Sequence, residues 1–154
     1  HKKNLQKILL CYHLEGIQLK YSKKGKPLLA GSCMSISITK RDALVLYAVT
    51  WKDHIGIDIE KKEKLPYIRE LAQYIFSYNS YSIVDCVDEE TIAFFRSWTL
   101  CEAYAKYTGN GLAYVLTNKE NIGTHYYSHQ FMLHSTYIGS VVCKKKKKVR
   151  FFEM

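Results

Sequence analysis

The sequence predicts an α+β domain, and three observations carry that prediction. Alternation of period two marks residues 33–39 and 55–60 as strands. After Asp88 the period changes: Trp98, Glu102 and Lys106 recur at intervals of four, so they share one face of a helix. Beyond Leu112 the chain turns β-rich again.

Taken in order, Leu5, Ile8, Leu9 and Tyr12 fall at helical spacing and make an amphipathic opening helix that Gly16 stops. Residues 17–21 read as a strand and 22–27 as a basic turn. In 33–39, Met34, Ile36 and Ile38 point to one face and Ser35, Ser37 and Thr39 to the other. Residues 43–50 read as a buried strand, and 52–54 turn the chain into the next one. There Ile55, Ile57 and Ile59 alternate with Gly56, Asp58 and Glu60, which sets both acids on the face opposite the isoleucines. A helix is expected over 66–76 and a polar, aromatic loop over 78–87. The following helix takes Asp88 as N-cap, Glu89 and Glu90 in its first turn and Gly109 just past its end. Residues 130–134 and 137–143 read as strands. At 154 residues a chain can bury a sizeable core, so one domain over 1–154 is expected.

With 23 Lys and Arg against 14 Asp and Glu, the formal charge is +9, which calls for an anionic partner without naming it. No apolar run approaches the length of a membrane span, so no membrane partner is expected. The five cysteines, Cys11, Cys33, Cys86, Cys101 and Cys143, form no CxxC pair and are odd in number, which points to reduced thiols and a cytoplasmic protein. His125 and His129 have helical metal spacing but no third ligand and non-helical neighbours, so they read as no zinc site.

The chemistry concentrates in GIDIE at 56–60 and WTLCEAYAK at 98–106. A hard cation such as Mg²⁺ takes one or two protein carboxylates, keeps several waters and completes its shell with substrate phosphate oxygens. Asp58 and Glu102 can supply those carboxylates, with Glu60 touching the metal or its waters and Lys106 one turn on to hold phosphate. Each residue also has a plain reading. Glu102 and Lys106 in isolation make an exposed i,i+4 ion pair worth about 0.3 to 0.5 kcal/mol, Trp98 reads as core, Cys101 as an inert helix cysteine, and residues 144–148, all Lys, as a solvated run that can also steer an acidic partner.

Four motifs in order then carry a specific resemblance: Gly25-Lys26-Pro27, Ser37-Ile38-Thr39, GIDIE, and Trp98 to Lys106 followed by Gly109-Asn110-Gly111-Leu112. The chain resembles the 4′-phosphopantetheinyl transferases, particularly the longer type that serves peptide and polyketide synthases. The resemblance implies a phosphopantetheinyl transferase-like α+β fold, here with a truncated N-terminal half. It implies transfer of 4′-phosphopantetheine from coenzyme A to a serine of an acidic acyl or peptidyl carrier protein, with Mg²⁺ and release of adenosine 3′,5′-bisphosphate, in the manner of a holo-acyl-carrier-protein synthase. Asp58, Glu60 and Glu102 are then the metal residues, and Asp58, Glu102 and Lys106 the catalytic ones, with Glu102 as general base. Lys26, Ser37 and Lys106 are the coenzyme contacts.

Two departures stand out. The family places His where this chain has Ile38, and Lys where it has Cys101, removing a donor to a coenzyme phosphate and a cation beside the metal. Family register puts Ile38 in the coenzyme pocket, whereas strand alternation groups it with Met34 and Ile36 on an apolar face. A non-catalytic family member that binds coenzyme A or a carrier protein is therefore an alternative. A basic nucleic-acid-binding domain is a second, although no recognition motif supports it.

Overall fold

The computed structural model describes residues 2–12, 16–76, 87–118 and 126–153. Helix α1 (Lys2–Cys11) is followed by two antiparallel hairpins, β1 (Leu19–Tyr21) with β2 (Pro27–Leu29), and β3 (Met34–Arg41) with β4 (Leu44–Trp51). Next come β5 (Ile55–Lys61), helices α2 (Ile68–Phe76), α3 (Val87–Thr108) and α4 (Leu112–Thr117), and the hairpin of β6 (Tyr127–Leu133) and β7 (Tyr137–Cys143). Strand β7 lies between β5 and β6, antiparallel to both, with Asp58 opposite Ser140. The α+β class follows directly.

Alternation decides how these layers meet. On β3, Met34 and Ile36 are buried with Leu5 and Leu9 of α1 and Leu29 of β2, and Ile38 packs against that cluster. The opposite face turns to β5, where polar side chains join the two sheets: Ser37 Oγ accepts the Ile57 backbone N–H at 3.1 Å. On β5, Ile55 and Ile57 pack with Val141, Leu46, Ala48 and Phe131, away from α3. The other face carries Gly56, Asp58 and, on β7, Ile138 and Ser140. Helix α3 covers it, burying Phe94, Phe95, Cys101 and Ala105 with Ile138, Ala72 and Phe76 of α2, and Val115 of α4.

Two glycines make this geometry possible. A Cβ at Gly56 would lie 1.9 Å from the Ala103 carbonyl oxygen and 2.5 Å from the Tyr107 nitrogen, so the α3 backbone rests directly on the strand. Gly109 at φ 73° takes the left-handed conformation that ends α3, its N–H donating to the Ala105 carbonyl at 2.8 Å.

Several expectations need correction. Residues 112–117 are helical, not β-rich, because Val115 is held in the core beneath α3. Strand β4 is half-buried over most of its length rather than buried, since Tyr47 and Val49 face the α1 cluster only partly covered. Tyr12 lies beyond α1 and is exposed. Helix α3 begins at Val87, one residue before the expected cap, within the ordinary spread of helix boundaries. The loop expected over 78–87, apart from Val87, lies outside the described residues, as do His125 and Cys86. Among the described residues Cys11, Cys33, Cys101 and Cys143 are in no disulfide, and no helix is long and apolar enough to cross a membrane.

Candidate active site

Close approach of α3 to Gly56 sets its Glu102–Lys106 turn over the next acid on the same strand face. Lys106 Nζ reaches Asp58 Oδ1 at 2.7 Å, and Thr39 Oγ1, from β3, donates to the same oxygen at 3.0 Å. Asp58 is buried, and its second oxygen, Oδ2, has no hydrogen-bond partner among the described residues. One carboxylate oxygen is thus fixed by two donors while the other is left with an unmet demand for a positive partner.

Glu102 and Glu60 surround this carboxylate with further negative charge. Burial, and then the Asp58 charge, push the Glu102 carboxyl above its ordinary 4.5, with Lys106 opposing. Glu60 is raised as well, first by burial and then by Asp58 and Glu102, against the pull of Arg41 and Lys106. Its Oε2 lies 3.2 Å from Arg41 Nε, and Arg41 Nη2 lies 3.6 Å from Glu63 Oε1. Glu60 is therefore partnered by a cation of the chain itself, unlike the free oxygen of Asp58.

Among the described residues no group of three or more His, Cys, Asp or Glu forms a ready metal cluster. The donor set still fits Mg²⁺, which needs one or two carboxylates rather than a full protein cage. Oδ2 of Asp58 is a buried oxygen without a partner among the described residues, and Glu102, whose pKa is raised chiefly by burial, also feels the Asp58 charge.

The remaining expected residues lie around this centre. Ser37 is buried, with its Oγ on the Ile57 N–H one residue before Asp58. Lys26 stands at the C-terminus of α3, donating to the Tyr107 carbonyl at 2.5 Å, where a cation meets the negative end of the helix dipole. Burial lowers the pKa of its ammonium. Beside it, Lys24 Nζ reaches Asn110 Oδ1 at 3.3 Å, so the β1–β2 turn is joined to the Gly109–Gly111 segment. Trp98 packs against the core, stacked on Phe94 at 6.3 Å and 9°. Ile38 requires a correction: it is packed with the cluster under α1, on the face opposite Ser37 and Thr39, so it does not line the carboxylate site. Cys101 is buried in the core cluster rather than placed as a free group beside the carboxylates.

The sequence profile of the 4′-phosphopantetheinyl transferase superfamily matches residues 54–141, more than half of the chain and the span from GIDIE through α3 to β7. The chain belongs to the 4′-phosphopantetheinyl transferase superfamily. It is also 33% identical over 103 residues to 4′-phosphopantetheinyl transferase HetI of Nostoc sp. strain PCC 7120, an alignment covering 63% of this chain and 44% of that protein. The chain thus spans less than half the length of this transferase relative. Lys26 and Ser37 precede the matched span, whereas Asp58, Glu60, Glu102 and Lys106 lie inside it.

Two residues that hold this carboxylate group are not singled out by the sequence. Thr39 holds Asp58, and Arg41 holds Glu60. The signal for Thr39 was present, because alternation placed it with Ser37 on the polar face of β3. What was missing was the knowledge that β3 lies against β5.

Proposed function

We propose that the chain transfers 4′-phosphopantetheine from coenzyme A to a serine of an acyl or peptidyl carrier protein, with Mg²⁺, as a single domain in the reducing cytoplasm. The observation carrying this reading is the asymmetric Asp58 carboxylate: Oδ1 held by Thr39 and Lys106, Oδ2 buried and without a hydrogen-bond partner among the described residues, with Glu102 close enough to feel its charge. Family membership supports the transferase class.

Asp58 and Glu102 would hold the ion, with Glu60 close by but engaged by Arg41. When bound, Mg²⁺ supplies charge neutralisation and orientation of the diphosphate oxygens. In the transfer, the carrier serine oxygen bonds to the phosphorus nearest pantetheine, the bond from that phosphorus to the bridging oxygen breaks, and adenosine 3′,5′-bisphosphate leaves with the electron pair. Glu102, whose pKa is raised by burial and by Asp58, is suited to take the serine proton. Lys106 is the cation on hand for phosphate oxygens, and it lies within reach of Asp58 whenever no phosphate competes. Lys26 contributes positive charge at the end of α3, and Ser37 fixes the start of the carboxylate strand through Ile57.

A non-catalytic binder is the second reading, favoured by Ile38, which offers no hydrogen-bond donor and packs, partly buried, against the cluster under α1. The two are separated by the mass of an apo-carrier protein after incubation with coenzyme A and Mg²⁺. Transfer is expected for the native chain and its loss for Asp58→Asn and Glu102→Gln; an unmodified carrier with coenzyme A still bound selects the second reading.

A further inference from the structure

The β3–β4 turn is clasped to the end of the carboxylate strand. Arg41, opposite Leu44, is the last residue of β3, and Asp42 enters the turn at φ 52°. Tyr137 Oη donates to Asp42 Oδ2 at 2.9 Å, and Lys61 Nζ lies 3.7 Å from the same oxygen. Lys61 and Tyr137 face each other across β5 and β7, so both strands hold the turn. From this anchored position Arg41 reaches Glu63 Oε1 with Nη2 at 3.6 Å and Glu60 Oε2 with Nε at 3.2 Å. Arg41 Nε and Asp58 Oδ2 are the two buried side-chain polar atoms that make no hydrogen bond among the described residues. The hold of Arg41 on Glu60 is therefore one of charge.

The cations of the chain are shared unevenly among the three acids. Lys106 sits on Asp58 and Arg41 on Glu60, while Glu102 is in no ion pair among the described residues. An ion arriving at Asp58 Oδ2 meets Glu102 with no ion partner to displace. To add Glu60, it must part that carboxylate from a guanidinium whose other end is engaged by Glu63. A hard cation satisfied by one or two carboxylates keeps places for water and substrate phosphate, and a third carboxylate fills one of those places.

We propose that Arg41 is a positioning residue that holds Glu60 off the cation, so that the site offers two carboxylates and keeps a coordination place open for a phosphate oxygen of the substrate. The proposal rests on the Mg²⁺ reading of Asp58 and Glu102 above. Arg41 acts on the coordination shell through Glu60, so that effect vanishes once Glu60 no longer carries a carboxylate.

Mn²⁺ serves as the probe on the coenzyme-free chain, with affinity read by electron paramagnetic resonance and the number of manganese-bound waters by water-proton relaxation. Arg41→Gln should tighten Mn²⁺ binding by about tenfold or more and lower the water count, because the freed Glu60 joins the ion. Removal of a nearby positive charge tightens binding by itself, but it does not expel a water. Arg41→Gln combined with Glu60→Gln should return the water count to the native value, Arg41→Lys should keep it, and Glu60→Gln alone should leave it unchanged, each in protein that melts cooperatively. An unchanged count in Arg41→Gln overturns the proposal, as does a count that falls equally without the Glu60 carboxylate. A count that rises in Glu60→Gln alone also overturns it, since Glu60 is then already a ligand, and that arm leaves Arg41 in place. Asp58→Asn separates the two readings. Loss of Mn²⁺ binding there retains the cation site whichever way the Arg41 comparison falls; undiminished binding there, or none by the native chain, rejects the cation site and this proposal with it.

Discussion

Gly56→Ala tests the packing that creates the site. Gly56 has no positive φ, so alanine costs nothing in backbone conformation, and the effect is steric alone. Its Cβ would lie 1.9 Å from the Ala103 oxygen; restoring an ordinary contact of about 3.4 Å requires α3 to retreat by roughly 1.5 Å. Backbone atoms on both sides leave no side chain to swing away. Overpacking of this kind costs about 1 to 3 kcal/mol, far more than the gain of under 1 kcal/mol that alanine gives by restricting the unfolded chain. The same retreat carries Lys106 and Glu102 off Asp58, ending the 2.7 Å contact. A misplacement of about 1 Å at a reacting centre costs on the order of 10²-fold in rate. Urea unfolding should therefore show a lowered midpoint with unchanged slope, and transfer assays a drop of about two orders of magnitude. Native stability together with native turnover would refute the placement of α3 on the strand.

Thr39→Val preserves shape but removes the hydroxyl on Asp58, and should cost about 1 to 3 kcal/mol in urea unfolding and weaken Mn²⁺ binding read by electron paramagnetic resonance. Thr39→Ser should restore both, and no change in either quantity would dismiss Thr39 as a positioning residue. Ile38→His should destabilise the fold by about 1 to 3 kcal/mol without tightening coenzyme A binding, because the ring would enter the cluster under α1; a calorimetric gain in affinity would return Ile38 to the pocket. Glu102 and Glu60 have pKa values raised in the folded state, so their protonation favours folding: metal-free protein should gain melting temperature as pH falls from 7 toward the ordinary 4.5, and lose it as pH rises through the raised values. Asp58→Asn removes one cause of both shifts and should flatten that dependence; an identical slope would show that the three carboxylates do not interact.

Local pattern made the site's two supports legible. Alternation through Ile55 to Glu60 gave β5 its facing, and spacing of four placed Glu102 and Lys106 on one side of α3, both as observed. What sequence could not supply was the neighbour of each face. Asp58 was expected to wait for a metal, yet Lys106 and Thr39 already hold one of its oxygens, a fact that depends on the packing of α3 and β3 around Gly56. Arg41, at the end of β3, carries no local signal and partners Glu60 because the β3–β4 hairpin ends beside β5. Helix α4 was missed because Val115 and Thr117 favour strands locally, and burial of Val115 against α3 overrides that preference. Ile38 shows the opposite case: its own alternation pointed to the core, and family register pointed elsewhere.

The most direct test of the account is the mass of an apo-carrier protein incubated with the native chain, coenzyme A and Mg²⁺. The Asp58 and Glu102 arrangement predicts a gain of one phosphopantetheine on a single serine, abolished by a chelator and restored by adding Mg²⁺. Modification that persists undiminished in Asp58→Asn, or a carrier left unmodified while coenzyme A and Mg²⁺ are both bound, would contradict it.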